Sequence, residues 1–189
     1  MTDALRPAAE LGELTRLFYS DSNVLGQFRE FDNSSVPASY RALLAHDAHM
    51  TVTVEQRHGC PVTVEVLKSH ESATHYVRKI LLRRTSDNRV VQFGIVRLKL
   101  DAIESHARAE ILEKRIPLGR VLIQHNVMRH VQLLGVWRVK CGSELAKYFG
   151  VATGHETYGR TALIFCNDEA AIELLEIVAP EDNFTAPSN

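Results

Sequence analysis

The stretch AAIELLEIVAP, residues 170–180, decides how this chain folds, because it reads in two ways. As a strand it puts Ile172, Leu174, Glu176 and Val178 on one face, so that Glu176 stands in an apolar row. As a helix it gathers Glu169, Glu173 and Glu176 into a solvated stripe opposite Ala170, Leu174, Ile177 and Val178. The helical period suits the charges. The turn residues CND before it, the β-branched Ile172, Ile177 and Val178, and the stop at Pro180 suit a strand. Periodicity alone leaves both open. The choice bears on chemistry, since an unpaired carboxylate in an apolar environment is costly or shifts its pKa, and is kept there for a reason.

Upstream, TYGRTALIF and HVQLLGVWRV are strand-like, and SELAKYFG between them is a short helix ending at Gly150. Residues 76–100, YVRKILLRRTSDNRVVQFGIVRLKL, form a β-hairpin around TSDN. Ahead of it, Met50, Val52 and Val54 alternate with Thr51, Thr53 and Glu55, RHGCP turns the chain, and Val62, Val64 and Val66 alternate with polar neighbours. That period of two predicts another hairpin with one wet face. Helical spacing marks Leu11, Leu14, Leu17 and Phe18, and again Tyr40, Leu43 and Leu44 after Pro37. DAIESHARAEILEKR predicts a helix with Asp101 as N-cap, and IPLGRVLIQHN breaks and restarts it.

This order predicts an α+β domain, a single antiparallel β-sheet of about six or seven strands with helices on one side and at its ends. Residues 1–189 form one domain: a core over 43–180, an N-terminal helix and loop over 1–36, and a flexible tail over 181–189. At 189 residues, 45% hydrophobic and 24% charged, the chain can bury a real core. Lys plus Arg total 22 against 23 Asp plus Glu, so the net charge of -1 provides no global field for nucleic acid or an anionic membrane. The three cysteines, widely spaced and without a CxxC pair, argue against a disulfide framework and a zinc site, and fit a cytoplasmic setting. MTDALRPAAELGEL lacks the pattern of a signal peptide, which predicts an unprocessed N-terminus.

Strand parity singles out Arg78, which shares the more apolar face of YVRKILL with Tyr76, Ile80 and Leu82. An arginine so placed keeps its charge and needs a carboxylate or phosphate, so Arg78 is a candidate anion clamp, or else pairs with a glutamate on a neighbouring strand or sits at the sheet edge. Pro117 and Gly119 flank Leu118 at a helix start, where free N–H groups can bind an anion; an ordinary helix break explains them equally well. His46 and His49 in HDAH have a spacing that suits a metal, but without a partner cluster they read as a solvated helix end. The chain contains no GxSxG, Walker loop or GxGxxG.

Four segments taken together, LLAHDAHMTVTVEQRHGCPVTVEVL, YVRKILL, RIPLGRVL and IELLEIVAP, resemble the chorismate pyruvate-lyase family, including its divergent branch of unknown function. In that family an acidic segment ends in Met-Thr at the first strand, an Arg precedes Ile-Leu-Leu, Pro-Leu-Gly-Arg opens a helix, and a Glu stands four residues before a Pro in the last strand. All four occur here in order. The resemblance implies a strand at 170–180, a chorismate lyase-like sheet with helical flaps over a buried ligand cavity, and ligand contacts at Met50, Arg78, Leu118 and Glu176. It also implies the reaction, loss of pyruvate from chorismate to give 4-hydroxybenzoate or a close aromatic acid, without metal or cofactor. Arg78 would hold a carboxylate, backbone N–H groups near Met50 and Leu118 would add hydrogen bonds, and Glu176, its pKa raised by an apolar wall, would manage the proton.

One departure stands out: family members from the ubiquinone pathway carry an Arg straight after the Gly of the fourth strand, where this chain has Ile95. Arg120 and Arg129 are then the candidates for a second carboxylate. The expected partner is a small molecule, with no nucleic acid and no membrane. The rival expectation is a non-catalytic domain that binds aromatic carboxylates, since a related fold serves as the effector domain of transcription regulators. The absence of a helix-turn-helix segment counts against a complete regulator.

Overall fold

The computed structural model describes residues 7–127, 129–166 and 169–181. Seven strands form one sheet in the order β1-β5-β6-β7-β4-β3-β2. They are β1 (Gly26–Phe31), β2 (Val62–Glu71), β3 (His75–Arg84), β4 (Val90–Lys99), β5 (Arg129–Cys141), β6 (Glu156–Cys166) and β7 (Glu169–Val178). All neighbours are antiparallel. Two meanders, β2-β3-β4 and β5-β6-β7, therefore meet where β4 pairs with β7, and β1 extends the second along β5.

Segment 170–180 is thus mostly strand, and its two glutamates separate by parity. Glu176 is buried with Ile172, Leu174 and Val178, while Glu173 takes the opposite face, where its Oε1 accepts from Arg97 Nη2 at 2.7 Å.

Both faces of the sheet are covered, in place of the single covered side the sequence suggests. On one face α1 (Pro7–Arg16) and α6 (Ser143–Phe149) pack Leu11, Leu14, Leu145 and Phe149 against Phe93, Ile95, Leu175, Ile177 and Trp137. On the other lie α2 (Ala38–Leu44), α3 (Met50–His58), α4 (Ser105–Leu112) and α5 (Leu118–Gln124), over Ile80, Leu82, Val96, Leu174 and Val178. Each fully buried Leu or Val of these layers stabilises the fold by about 1.5–3 kcal/mol. None of the described helices is long and apolar enough to cross a membrane.

The largest correction concerns residues 50–58. The alternation of Met50, Val52 and Val54 predicts a strand, but the segment is helix α3, which buries Met50, Thr51 and Val54. Those positions also carry the i, i+1, i+4 spacing of a helical face, and Gly59 at φ 63° supplies the left-handed residue that ends it. Tertiary packing overrides the β-propensity of the threonines and valines. The expected first hairpin therefore does not form, and β2 pairs with β3 instead. Met50–Thr51 opens a helix, not a strand.

Asp101 does not cap α4: it lies in a short 3-10 turn over 100–102, and Glu104 is the N-cap. The N-terminal segment 1–36 holds more than a helix and loop, because it also contributes edge strand β1. The tail over 182–189 lies outside the described residues.

Candidate functional site

Arg78 points from β3 under the helical layer and is 1% exposed. Its Nε and Nη1 are buried without a hydrogen-bond partner among the described residues. Burial holds its pKa below the ordinary arginine value, because desolvation disfavours the charged form. The neighbouring-glutamate explanation fails for this residue. Glu176, the carboxylate on the same face, is committed elsewhere.

That commitment involves a residue the sequence reading did not single out. Arg160, on β6 beside Glu176 in register, is 1% exposed, and its Nε donates to Glu176 Oε2 at 2.8 Å. Its other nitrogens reach the loop between α2 and α3: Nη1 donates to Leu44 O at 3.3 Å and His46 O at 2.9 Å, and Nη2 to Ala48 O at 3.3 Å. Arg160 so ties the roof of the site to its floor. Gln92 of β4 completes the set, its Nε2 donating to Glu176 Oε1 at 3.3 Å. The wall at Glu176 is therefore polar and cationic, not the apolar wall the resemblance implies. The parity test that finds Arg78 also finds Arg160, since Tyr158, Ala162 and Ile164 share its face.

Met50, Arg78, Leu118 and Glu176 all line one cavity between sheet and helices, together with Gln92 and Arg160. Met50 and Leu118 are the first residues of α3 and α5. These two helix starts approach closely because residue 119 is a glycine: a Cβ there would lie 3.0 Å from Thr51 Oγ1. Arg120 faces away from the cavity and pairs with Glu55 of α3, clasping the two helices. The side chain of Arg129 lies outside the described residues. Ile95 is fully buried on the opposite face of the sheet, so this register aims its position away from the cavity.

The cavity volume is about 40 Å³. That is room for about three waters and too little for an aromatic ring, so a ring-sized ligand requires the α3 and α5 layer to move. His49 lines the cavity, and His46 stands in the loop between α2 and α3. His46 engages the backbone through both ring nitrogens, Nε2 with Leu43 O at 2.6 Å and Nδ1 with Ala48 N at 3.0 Å. Burial, and then the Arg160 charge, lower its pKa.

No protein-family model matches the chain, and no curated protein matches its sequence. Solved structures do. The gene product SA0254 from Staphylococcus aureus subsp. aureus N315 superposes with a TM-score of 0.51 at 13% identity, over 77% of this chain and 98% of that one. PhnF from Mycobacterium smegmatis gives 0.53 at 8% identity, over 72% of this chain and 65% of that one. A GntR-family transcriptional regulator from Enterococcus faecalis V583 gives 0.44 at 8%, over 67% and 99%. At such identities the first two share the fold with this chain: the chorismate lyase-like α+β arrangement of one antiparallel sheet under a helical layer.

Proposed function

We propose that this protein is a small-molecule binding module that takes up an aromatic carboxylate between the sheet and helices α3 and α5. The observation that carries this reading is Arg78, a buried guanidinium at the cavity with two nitrogens unpaired among the described residues. A carboxylate would supply a missing acceptor and offset the desolvation of the cation. The test is thermal denaturation with 4-hydroxybenzoate. The melting temperature should rise with ligand concentration, as mass action requires for a ligand of the native state, and Arg78→Ala should abolish the rise. An unchanged rise in the variant would place the carboxylate elsewhere.

Turnover is the second reading, favoured by the presence of Met50, Leu118 and Glu176 at the same cavity as Arg78. In the lyase reaction the ether C–O bond of chorismate breaks, the adjacent ring carbon loses its proton, and pyruvate and 4-hydroxybenzoate leave. Glu176 would be the proton-handling group, steadied by Arg160 and Gln92. Incubation with chorismate and measurement of pyruvate decides between the readings. If turnover occurs, Glu176→Gln should lower it by roughly 100-fold or more. A variant that kept most of the rate would make Glu176 a positioning residue, and a wild type without turnover would leave binding alone.

A further inference from the structure

Gln92 is 3% exposed, lines the cavity, and uses only half of its amide. Its Nε2 donates to Glu176, but its Oε1 is buried and accepts nothing among the described residues. Chemistry fixes which end is which: a carboxylate offers only lone pairs, so the NH2 faces Glu176 and the carbonyl oxygen is the free end. A buried acceptor without a donor is costly, and such groups in a cavity are satisfied by what fills it.

The register shows where this acceptor lies relative to Arg78. Arg78 stands opposite Val96 and Gln92 opposite Leu82, so on adjacent strands the two are four residues apart. That is about 14 Å along the strands, and both side chains line the same cavity. The residue midway on β4 is Gly94, opposite Ile80 on one side and Glu176 on the other. A Cβ on Gly94 would lie 3.2 Å from Ile80 Cδ1, so its absence deepens the cavity floor between the two polar ends. One end offers unpaired donors and the other an unpaired acceptor.

We infer that Gln92 is a specificity-determining residue, whose Oε1 accepts a hydrogen bond from a hydroxyl or amino group across the ring from the ligand's carboxylate. The inference rests on the proposed carboxylate binding at Arg78. It adds that the site selects ring acids with a distal donor over the same acids without one, and that Gln92, held by Glu176, makes the selection.

Calorimetric titration of the full chain with benzoate, 4-hydroxybenzoate and 4-methoxybenzoate tests it. Wild-type protein should bind 4-hydroxybenzoate at least about tenfold more tightly than benzoate, and 4-methoxybenzoate, which has no donor, should gain nothing. Gln92→Met keeps length without the acceptor; it should cut the hydroxyl preference, the ratio of the benzoate Kd to the 4-hydroxybenzoate Kd, at least about fivefold. Gln92→Leu stands in if the Met variant fails to fold. A preference retained in the folded variant, with Arg78→Ala still abolishing binding, overturns the inference and leaves the carboxylate site standing. Equal binding of benzoate and 4-hydroxybenzoate by wild-type protein overturns it without recourse to any variant. A wild type that binds none of the three acids removes both readings.

Discussion

Replacing Arg78 by methionine should stabilise the ligand-free protein, although the residue lies in the core. The side chain is 1% exposed, and two of its nitrogens are buried without acceptors. A buried ion carries a desolvation penalty of several kcal/mol, which pairing normally offsets; here the described residues provide no carboxylate partner. Methionine has similar length, no charge and enough flexibility to fill the irregular space. Relief of even part of the penalty, about 2 kcal/mol, raises Tm by about 4–8 °C for a domain of this size. Ligand should invert the order. At 100 times its Kd, 4-hydroxybenzoate stabilises the wild type by about 2.7 kcal/mol, whereas the variant has lost the guanidinium and gains little. Calorimetric melts of both proteins, with and without ligand, give four Tm values whose ranking tests the reasoning. A ligand-free variant that melts below the wild type by more than about 2 °C would refute it, because Arg78 would then be stabilising the fold through interactions of its own.

Arg160→Met should do the opposite, since it strands Glu176 and frees three backbone carbonyls of the 44–48 segment. A loss of about 3–5 kcal/mol, or a Tm lower by about 10 °C, is expected, with faster amide exchange over that loop; a change under about 1 kcal/mol would refute the tie between roof and floor. His58 predicts a pH dependence. Burial, then the charges of Arg84 and Arg57, lower its pKa from 6.5 to about 4, so the folded state holds it neutral. The unfolded chain binds the extra proton, and the stability that His58 contributes above pH 6.5 is lost as pH falls towards 4. Tm measured from pH 7 to pH 4.5 should fall, and His58→Gln should flatten the slope; an equally steep variant would assign the loss to other groups.

The sequence is most legible where two constraints coincide. In β3, β4 and β6 strand-like runs coincide with turn residues at TSDN and CND, and the expected strands are present; at 170–180 periodicity leaves helix and strand open, and the resemblance is what implies β7. At 50–58 the constraints conflict: alternation and β-branched residues favour a strand, whereas the i, i+1, i+4 spacing of Met50, Thr51 and Val54, Gly59 and burial against α5 and the sheet favour α3. Strand β1 gives a faint signal because it is an edge, with only Gly26 buried in its burial pattern. Parity places Arg78 and Glu176 on apolar faces, which is how both stand out. It cannot show that β6 lies beside β7, so neither the Arg160–Glu176 pair nor the half-used amide of Gln92 is readable from one strand at a time.

The meeting of the two meanders has a kinetic meaning. Arg78 and Gln92 come from the first meander, and Glu176 and Arg160 from the second, with 84 residues of chain separating Gln92 from Glu176. Each meander contains mostly local pairings, whereas β4–β7 closes a long loop whose entropy cost delays it. The cavity walls therefore come together only once that late pairing has formed. A ligand that touches both walls then has nothing to grip in the folding transition state, and its stabilisation appears in the unfolding rate, leaving the refolding rate nearly unchanged. In the cell, such a ligand would extend the lifetime of the folded molecule without hastening its birth.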